Sequence, residues 1–594
     1  GGSSGGGAAG GSGGGTGGGV GGGSGGGAGG SGGGLVGATS LALSGATSFL
    51  VDTCTPGFAQ GRQGGVSAAL AAGTPIALDA GALLPVYSDP QCTAGAPVLV
   101  KSDGGAEYFV RARDAGTFQL GAASSGLQGA SASLTASYPA AVGLGFANLK
   151  TQVRAGDCEV FTLELRDGTN KPTRANAPTD AGVVVVAGNG GLYSDFFCRT
   201  PLTSSFTIGQ GQAGRLLSFK GVTGQVNALQ ASAAVGLDAG QTVDVLPLVR
   251  RGTCSLGTMA TGVDCTISPP HQDLTQTFLV FQSLNDSSNS AVADTRCFLK
   301  DETTVHCDRA QAGTATTVVW QTAEHRTFEV DRVNFACDAG QPTSVPLPMR
   351  NTPPSSSFVL SSLSNNGGAV NNDDFVGLTL NSGNLGVGFV SNCAHPTNVH
   401  AQVVGISTIA VSRLQTTIDA GVRSLAMTFP AAQQPALLST YRPLTPDGNV
   451  TMCDMALMGD ATSATGAILD RGAGNTACGA NYGVAAVNAE RLDFLDAGTV
   501  TRLLGLMGGA TKSQVITTPA LDTTRTLYFT PSQGPAGQGM GQVDDQTQPP
   551  YVGTASAAFT PLLDGGVIST SLRVDRGRGA GNAGWIIQSV ELAP

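Results

Sequence analysis

Short apolar runs, some alternating with polar residues and some continuous, set the predicted elements of this chain. Phe161-Thr162-Leu163-Glu164-Leu165 alternates with a period of two, and Val183-Val184-Val185-Val186 is an unbroken β-branched run, so both read as strands. The order of such landmarks defines two related modules. The first carries Cys54, Asp79-Ala80-Gly81, Tyr87-Ser88-Asp89, Cys92 and Leu127-Gln128; the second carries Cys158, Asp180-Ala181-Gly182, Tyr193-Ser194-Asp195, Cys198 and Leu229-Gln230. Their spacings correspond, and each reads as an Ig-like β-sandwich, over 35–140 and 141–248.

A different frame then appears four times. Trp320-Gln321-Thr322-Ala323-Glu324 leads through Phe328 to Arg332-Val333, Ala401-Gln402-Val403-Val404 to Arg413-Leu414, and Ala489-Glu490-Arg491-Leu492 to Arg502-Leu503; the last copy is Ile587-Gln588-Ser589-Val590-Glu591. Each copy has an early apolar strand, at Phe278–Phe281, Phe358–Leu360, Leu425–Met427 and Leu527–Phe529. Three copies have an Asp-Arg pair before the Gln strand, at Asp308-Arg309, Asp470-Arg471 and Asp575-Arg576. These offsets predict one small β-module per copy, over 249–333, 334–414, 415–503 and 504–594. The fold class is therefore all-β, a tandem array of small Ig-like β-sandwich modules. Ahead of them, residues 1–34 are almost entirely glycine and cannot bury apolar surface, which predicts a disordered, flexible tether spanning about 30 Å on average.

Composition agrees with strands over helices, because only 12% of the residues are charged and long surface helices draw on Glu, Lys and Arg for their side-chain pairs. The net charge of −10 comes without any block of Lys or Arg, so the chain has no electrostatic footprint for nucleic acid. No apolar stretch is long enough for a transmembrane helix. The twelve cysteines fall into spaced pairs, Cys54 with Cys92, Cys158 with Cys198, Cys254 with Cys265, Cys297 with Cys307, Cys337 with Cys393 and Cys453 with Cys478. Without a CxxC or a Cys/His quartet, disulfides outweigh zinc, and disulfides place the chain in an oxidising, extracytoplasmic compartment. A signal peptide removed before Gly1 reconciles export with the observed start. The two loops of about 40 residues are the size expected of a bridge joining two strands across a sandwich.

Candidate chemistry is sparse. Asp-Ala-Gly recurs at Asp79, Asp114, Asp180, Asp238, Asp338, Asp419 and Asp496. Scattered singly, these carboxylates suit hairpin turns better than calcium. His395 and His400 beside Cys393 read as a surface loop, because Pro396 excludes the helical spacing of a zinc protease. Neither a nucleophile elbow nor a phosphate loop stands in suitable context, so no catalytic residue and no cofactor are assigned. Polar loops follow the early strands, and Asp373, Asp374, Asp544 and Asp545 are the candidate ligand-binding residues, for calcium or for glycan hydroxyls. Trp320 and Trp585 both lie on the strand of the Gln frame and read as core.

The Gln frames at Trp320–Glu324 and Ile587–Glu591, with the Tyr193-Ser194-Asp195-Phe196-Phe197-Cys198 segment, resemble modular Ig-like and β-repeat surface lipoproteins of myxobacteria and related bacteria. The middle copies depart from that pattern, with Ala401 and Ala489 where Trp would stand. The resemblance implies display outside the cell, with a lipid anchor just upstream of Gly1, and implies no particular ligand. The expected function is a non-catalytic secreted or cell-surface structural or adhesive protein, whose partners are cell-surface glycans or proteins or further copies of itself. The competing expectations are a secreted hydrolase with a carboxylate pair from distant strands, and a subunit of an extracellular filament or fibre.

Overall fold

The computed structural model describes residues 37–592 except 65, 96–97, 101–104, 204, 234–235, 286, 288, 338–343, 349–350, 368–374, 382–383, 389–395, 445–456, 472–483, 496–498, 508–510, 512, 530–542, 545–556, 563–567 and 577–581. The glycine-rich segment 1–34 lies outside the described residues. Two compact units result, one ending at Pro139 and one running from Ala140 to Pro594. Among the described residues the architecture is all-β, with one four-residue helix at Ser290–Ala293 and two 3-10 turns.

The first unit is a sandwich of two sheets. In one, Thr55–Gln63 lies between Ser40–Gly45 and Gly105–Val110, with Val86–Tyr87 beyond; in the other, the order is Ser48–Leu50, Ala130–Ser137, Gly116–Ala123, Pro75–Asp79 and Val98–Leu99. Leu41, Ile76, Tyr108, Leu120 and Leu134 fill the space between them. Burial alternates along Gly116–Ala123 and Ala130–Ser137, the period-two pattern of strands with one solvated face. The second unit opens with the same connectivity, strand for strand: Cys158–Arg166 sits between Gly143–Ala147 and Gly214–Lys220, and Gln152–Arg154 runs parallel to Leu237–Leu246 as Ser48–Leu50 does to Ala130–Ser137.

Disulfides join Cys54 to Cys92 and Cys158 to Cys198, but not as strand-to-strand bridges across the sandwich. Cys92 and Cys198 lie in turns with positive φ, 54° and 53°, so each bond pins a turn to the start of a strand. Such a turn is organised by the preceding aspartate, since Asp195 accepts from the amides of Phe197, Arg199 and Thr200, and Asp89 from those of Gln91, Thr93 and Ala94. The Asp-Ala-Gly segments divide. At Asp79 the carboxylate accepts from the Gly81 amide with Gly81 at φ 79°, a turn, and Gly421 after Asp419 also has positive φ. Asp180 and Asp238 instead lie inside the strands Thr179–Ala187 and Leu237–Leu246, where Ala181 points into the core and Asp180 meets Thr207 across the sheet. The tripeptides at Asp338 and Asp496 lie outside the described residues.

Beyond Val249 come four copies of a six-stranded sandwich. In the first, Val249–Leu256, Thr316–Glu324 and Thr277–Leu284 form one sheet, and Gly262–Thr266, Thr304–Asp308 and Arg296–Asp301 the other. In chain order this is 1-6-3 over 2-5-4, and the second and third copies repeat it over Phe328–Ile406 and Ile409–Phe494. The fourth, Val500–Glu591, adds the short strand Val543–Asp544 to its sixth strand. The first strands Phe328–Cys337, Ile409–Ile418 and Val500–Met507 run through the points at which the sequence divides the copies, and each pairs downstream. In the third copy the early strand opposite the Ala489 frame is Pro435–Pro443, while Leu425–Met427 belongs to the second strand, Ser424–Thr428. Two apolar runs lie close together there, and only the pairing distinguishes them.

The 1-6-3 sheets are buried on both faces. One face of each joins its own outer sheet, as where Leu279, Val318 and Trp320 meet Ile267 and Val305. The other face contributes to a single core shared by all four copies and the second sandwich, through Phe278, Val330, Phe358, Val404, Ile409, Leu438, Leu492, Leu527 and Val590. That double burial explains why third and sixth strands are nearly continuous in apolar and small residues, whereas fifth strands alternate.

Candidate functional site

The repeated Gln frame places a polar side chain in the middle of each doubly buried sixth strand, where an unpaired amide would cost several kcal/mol. Each finds its partners on the exposed edge of a neighbouring copy's third strand. Gln402 accepts from the Leu279 amide and donates to the Leu279 carbonyl, both at 2.9 Å. Gln588 does the same to Leu437 at 2.6 and 2.7 Å. Glu490 accepts from the Val359 amide at 2.8 Å. Gln321, in the first copy, reaches forward to the fourth, taking the Tyr528 amide at 3.0 Å and donating to its carbonyl at 2.7 Å. Second binds first, third binds second, fourth binds third and first binds fourth, so the four copies close into a ring.

An arginine stands directly across the ladder from each of these residues: Arg251 opposite Gln321, Arg332 opposite Gln402, Arg413 opposite Glu490 and Arg502 opposite Gln588. Three of them donate to carbonyls five residues before the stitched position, on Thr523, Leu274 and Pro354, while Arg502 forks onto the Asp460 carboxylate. Burial pulls Arg251 and Arg332 down to about 10, still cationic at neutral pH. Outer edges are sealed by hydroxyls in the same manner: Ser362 bridges the amide and carbonyl of Cys297, and Thr440 those of Leu378. A sheet edge normally presents open backbone groups to solvent or to another chain; here side chains of the next copy replace the missing strand.

A second cluster sits where the second sandwich meets the ring. The Glu324 carboxylate lies 3.0 Å from Arg250, 3.5 Å from Arg154 and 3.1 Å from His271 Nδ1, and accepts from the amides of Gln272 and Asp273. Burial would raise its pKa, but the Arg250 cation and the Gln272 amide packed against it hold it at about 2. His271 Nε2 is 2.8 Å from Thr322 Oγ1, so hydroxyl, imidazole and carboxylate stand in the order of a nucleophilic triad. The proton inventory is wrong for that chemistry. Arg250 Nη1 lies 2.6 Å from Nδ1 and can only donate, so Nδ1 accepts, the ring proton sits on Nε2, and the imidazole cannot draw a proton from Thr322. Burial also lowers the His271 pKa, keeping the ring neutral, and all three side chains are closed to solvent. The cluster is an interface anchor.

Of the polar loops, Asn285 turns inward and donates to Val292 O and Thr316 Oγ1, and Asn366 accepts from Gln311. Asp373, Asp374 and Asp545 lie outside the described residues; the Asp544 backbone pairs with Asn582, and its side chain is likewise not described. Cys254–Cys265 and Cys297–Cys307 are bonded, as is Cys337, whereas Cys393, Cys453 and Cys478 fall outside the described residues. His400 is not in a surface loop. It is a buried residue of the strand Thr397–Ile406, hydrogen-bonded to Asn334, with burial lowering its pKa to about 3; His395 lies outside the described residues. Trp320 is core, and the Trp585 side chain is not described. Among the described residues no His, Cys, Asp and Glu side chains gather in threes as a metal site, and no helix is long and apolar enough to cross a membrane.

No family model matches this chain, and no curated protein does. Among solved structures, it is similar to the D0-D1 domain of intimin at 14% identity, covering 35% of this chain and 99% of that one with a TM-score of 0.15. It is similar to invasin, described as a bacterial integrin-binding protein, at 11% identity over 67% of this chain and 81% of that one with a TM-score of 0.26. A glycosyl hydrolase family 2 member from Bacteroides cellulosilyticus matches at 14% identity over 32% of this chain and 24% of its own length, with a TM-score of 0.17. Identities and scores this low say nothing about what this chain binds or catalyses.

Proposed function

We propose that this chain is a non-catalytic extracytoplasmic protein that displays a rigid ring of β-modules for adhesion at a cell surface. The observation that carries the reading is the seam between Gln321 and Tyr528, which ties the first copy to the last and makes the ring one body. Loops held on such a frame meet a partner with little ordering cost. Turn-pinning disulfides support an oxidising location. The glycine-rich segment serves as the tether and a lipidated cysteine ahead of it as the anchor, the arrangement of the myxobacterial surface proteins that the sequence resembles. Asp373, Asp374, Asp544 and Asp545 remain proposed contacts for calcium or glycan.

Because the copies complete one another's edges, the last two repeats are half of a ring, and adhesion is to be measured with the full chain. Antibody labelling of intact cells, together with binding of the full chain to cells and to a glycan array, tests the reading. Labelling without permeabilisation and saturable binding are expected; signal only after permeabilisation contradicts it. Mass spectrometry of the native N-terminus tests the anchor, a diacylglycerol-modified cysteine being the expected result.

A further inference from the structure

The turn pinned by Cys198 carries two of the most exposed large apolar side chains of the second unit, Phe196 at 59% and Phe197 at 73%. Nothing in the packing requires them there. The turn is fixed without them, by the disulfide to Cys158, by the three amides on Asp195 and by the bridge from Tyr193 to Pro201. Beside it the strand Gly214–Lys220 exposes Arg215 and Leu216, and a concavity of about 320 Å³ is lined by Ser194, Asp195, Phe196, Gln212, Arg215 and Leu216. The Arg199 guanidinium lies 5.3 Å from the centre of the Phe197 ring. Neither Arg199 nor Arg215 meets a carboxylate among the described residues, and the one acid of the concavity, Asp195, already has both oxygens on backbone amides.

The first module provides an internal control, because it builds the same turn with Asp89 and Cys92 but places Pro90, Gln91 and Thr93 where the second has Phe196, Phe197 and Arg199. Cys158 pairs with Lys220, and continuing the ladder of the first module puts Cys54 opposite Arg111; counting back from there sets Ala106 against Arg215 and Glu107 against Leu216. The scaffold therefore needs no aromatic, aliphatic or cationic residue at these places. One copy alone has acquired all of them together.

We propose that this surface binds an acidic polysaccharide, with a sugar ring against Phe196 and Leu216 and its carboxylate on the Arg215 guanidinium. A planar guanidinium takes a carboxylate through two parallel hydrogen bonds, and aromatic faces stack on the apolar face of a sugar. The concavity falls in the size range of small-ligand sites, and the Arg215 cation that lines it, with Arg199 on the adjoining turn, selects against a neutral chain. The proposal rests on the display reading for access to a polymer outside the cell.

Binding of the full, disulfide-intact chain to polygalacturonate, to neutral dextran and to phosphatidylglycerol vesicles tests it. Polygalacturonate binding that weakens with salt, little binding to dextran or vesicles, and a loss of roughly tenfold or more for Arg215→Ala and for Phe196→Ser are expected, with the unfolding midpoint unchanged in these exposed variants. Equal binding by the double variant that combines Arg215→Ala with Phe196→Ser, equal binding to dextran, or preference for vesicles would overturn it. Polygalacturonate binding without labelling of intact cells leaves this site standing and removes the display reading; cell adhesion undiminished in the double variant does the reverse.

Discussion

The second sandwich is pinned covalently between residues 40 apart, whereas the ring is stitched by hydrogen bonds between residues 123 to 207 apart. A disulfide acts chiefly by limiting the unfolded chain and needs nothing from neighbouring modules. A buried Gln seam contributes only when two copies are already in place, and leaves backbone groups stranded when one is lost. The pin therefore acts locally within the sandwich, while each seam contributes only when the ring is complete, although the sandwich and the ring share one core. Its nonlocal seams also make slow folding the expectation, since loop closure precedes any gain.

The sharpest way to separate the two regions is to remove the pin alone. Cys158→Ala with Cys198→Ala should lower stability by about 4 kcal/mol in denaturant melts. Next in size, Gln588→Leu strands the amide and carbonyl of Leu437 and should cost about 3 kcal/mol, with all four copies destabilised together. Loss confined to the third and fourth copies would break the contrast with the sandwich.

The third prediction concerns the one seam built with an acid. Burial raises the Glu490 pKa, against the pull of Arg413. Folded protein then holds that proton more tightly than unfolded protein, so the contribution is fully present below the unfolded value and is lost as pH rises through the folded one. Subtracting the pH–stability profile of Glu490→Gln from that of the parent should reveal a difference that falls with rising pH; a flat difference contradicts it. The smallest effect belongs to Arg502→Ala, which breaks a partly exposed pair with Asp460 and should cost about 1 kcal/mol or less by thermal melt.

Much of this was legible in the sequence. Gln321, Gln402, Glu490 and Gln588 recur in one frame, as do the arginines, and the strands around them were readable from their apolar runs. What the frame did was not legible, because a polar residue inside an apolar strand has no visible partner until the ring closes, and the arginine that follows each of the first three frames belongs to the next copy. Buried His271 and His400 carry no sequence sign of burial. The paired spacing of Cys158 and Cys198 could not distinguish a strand-to-strand bridge from a pinned turn, although Asp195 three residues earlier is a turn signal in hindsight. Phe196 and Phe197 were read only as part of a resemblance; comparison with Pro90 and Gln91 in the first module would have singled them out.

Amide hydrogen exchange at Tyr528 in the full chain tests ring closure most directly. Tyr528 lies on an edge strand whose outward amide has Gln321 as its partner. Protection comparable to that of central-strand amides, abolished by Gln321→Leu, is the predicted result. Rapid exchange at Tyr528 in the unmodified protein, or protection that survives the substitution, would show that the first and last copies do not meet.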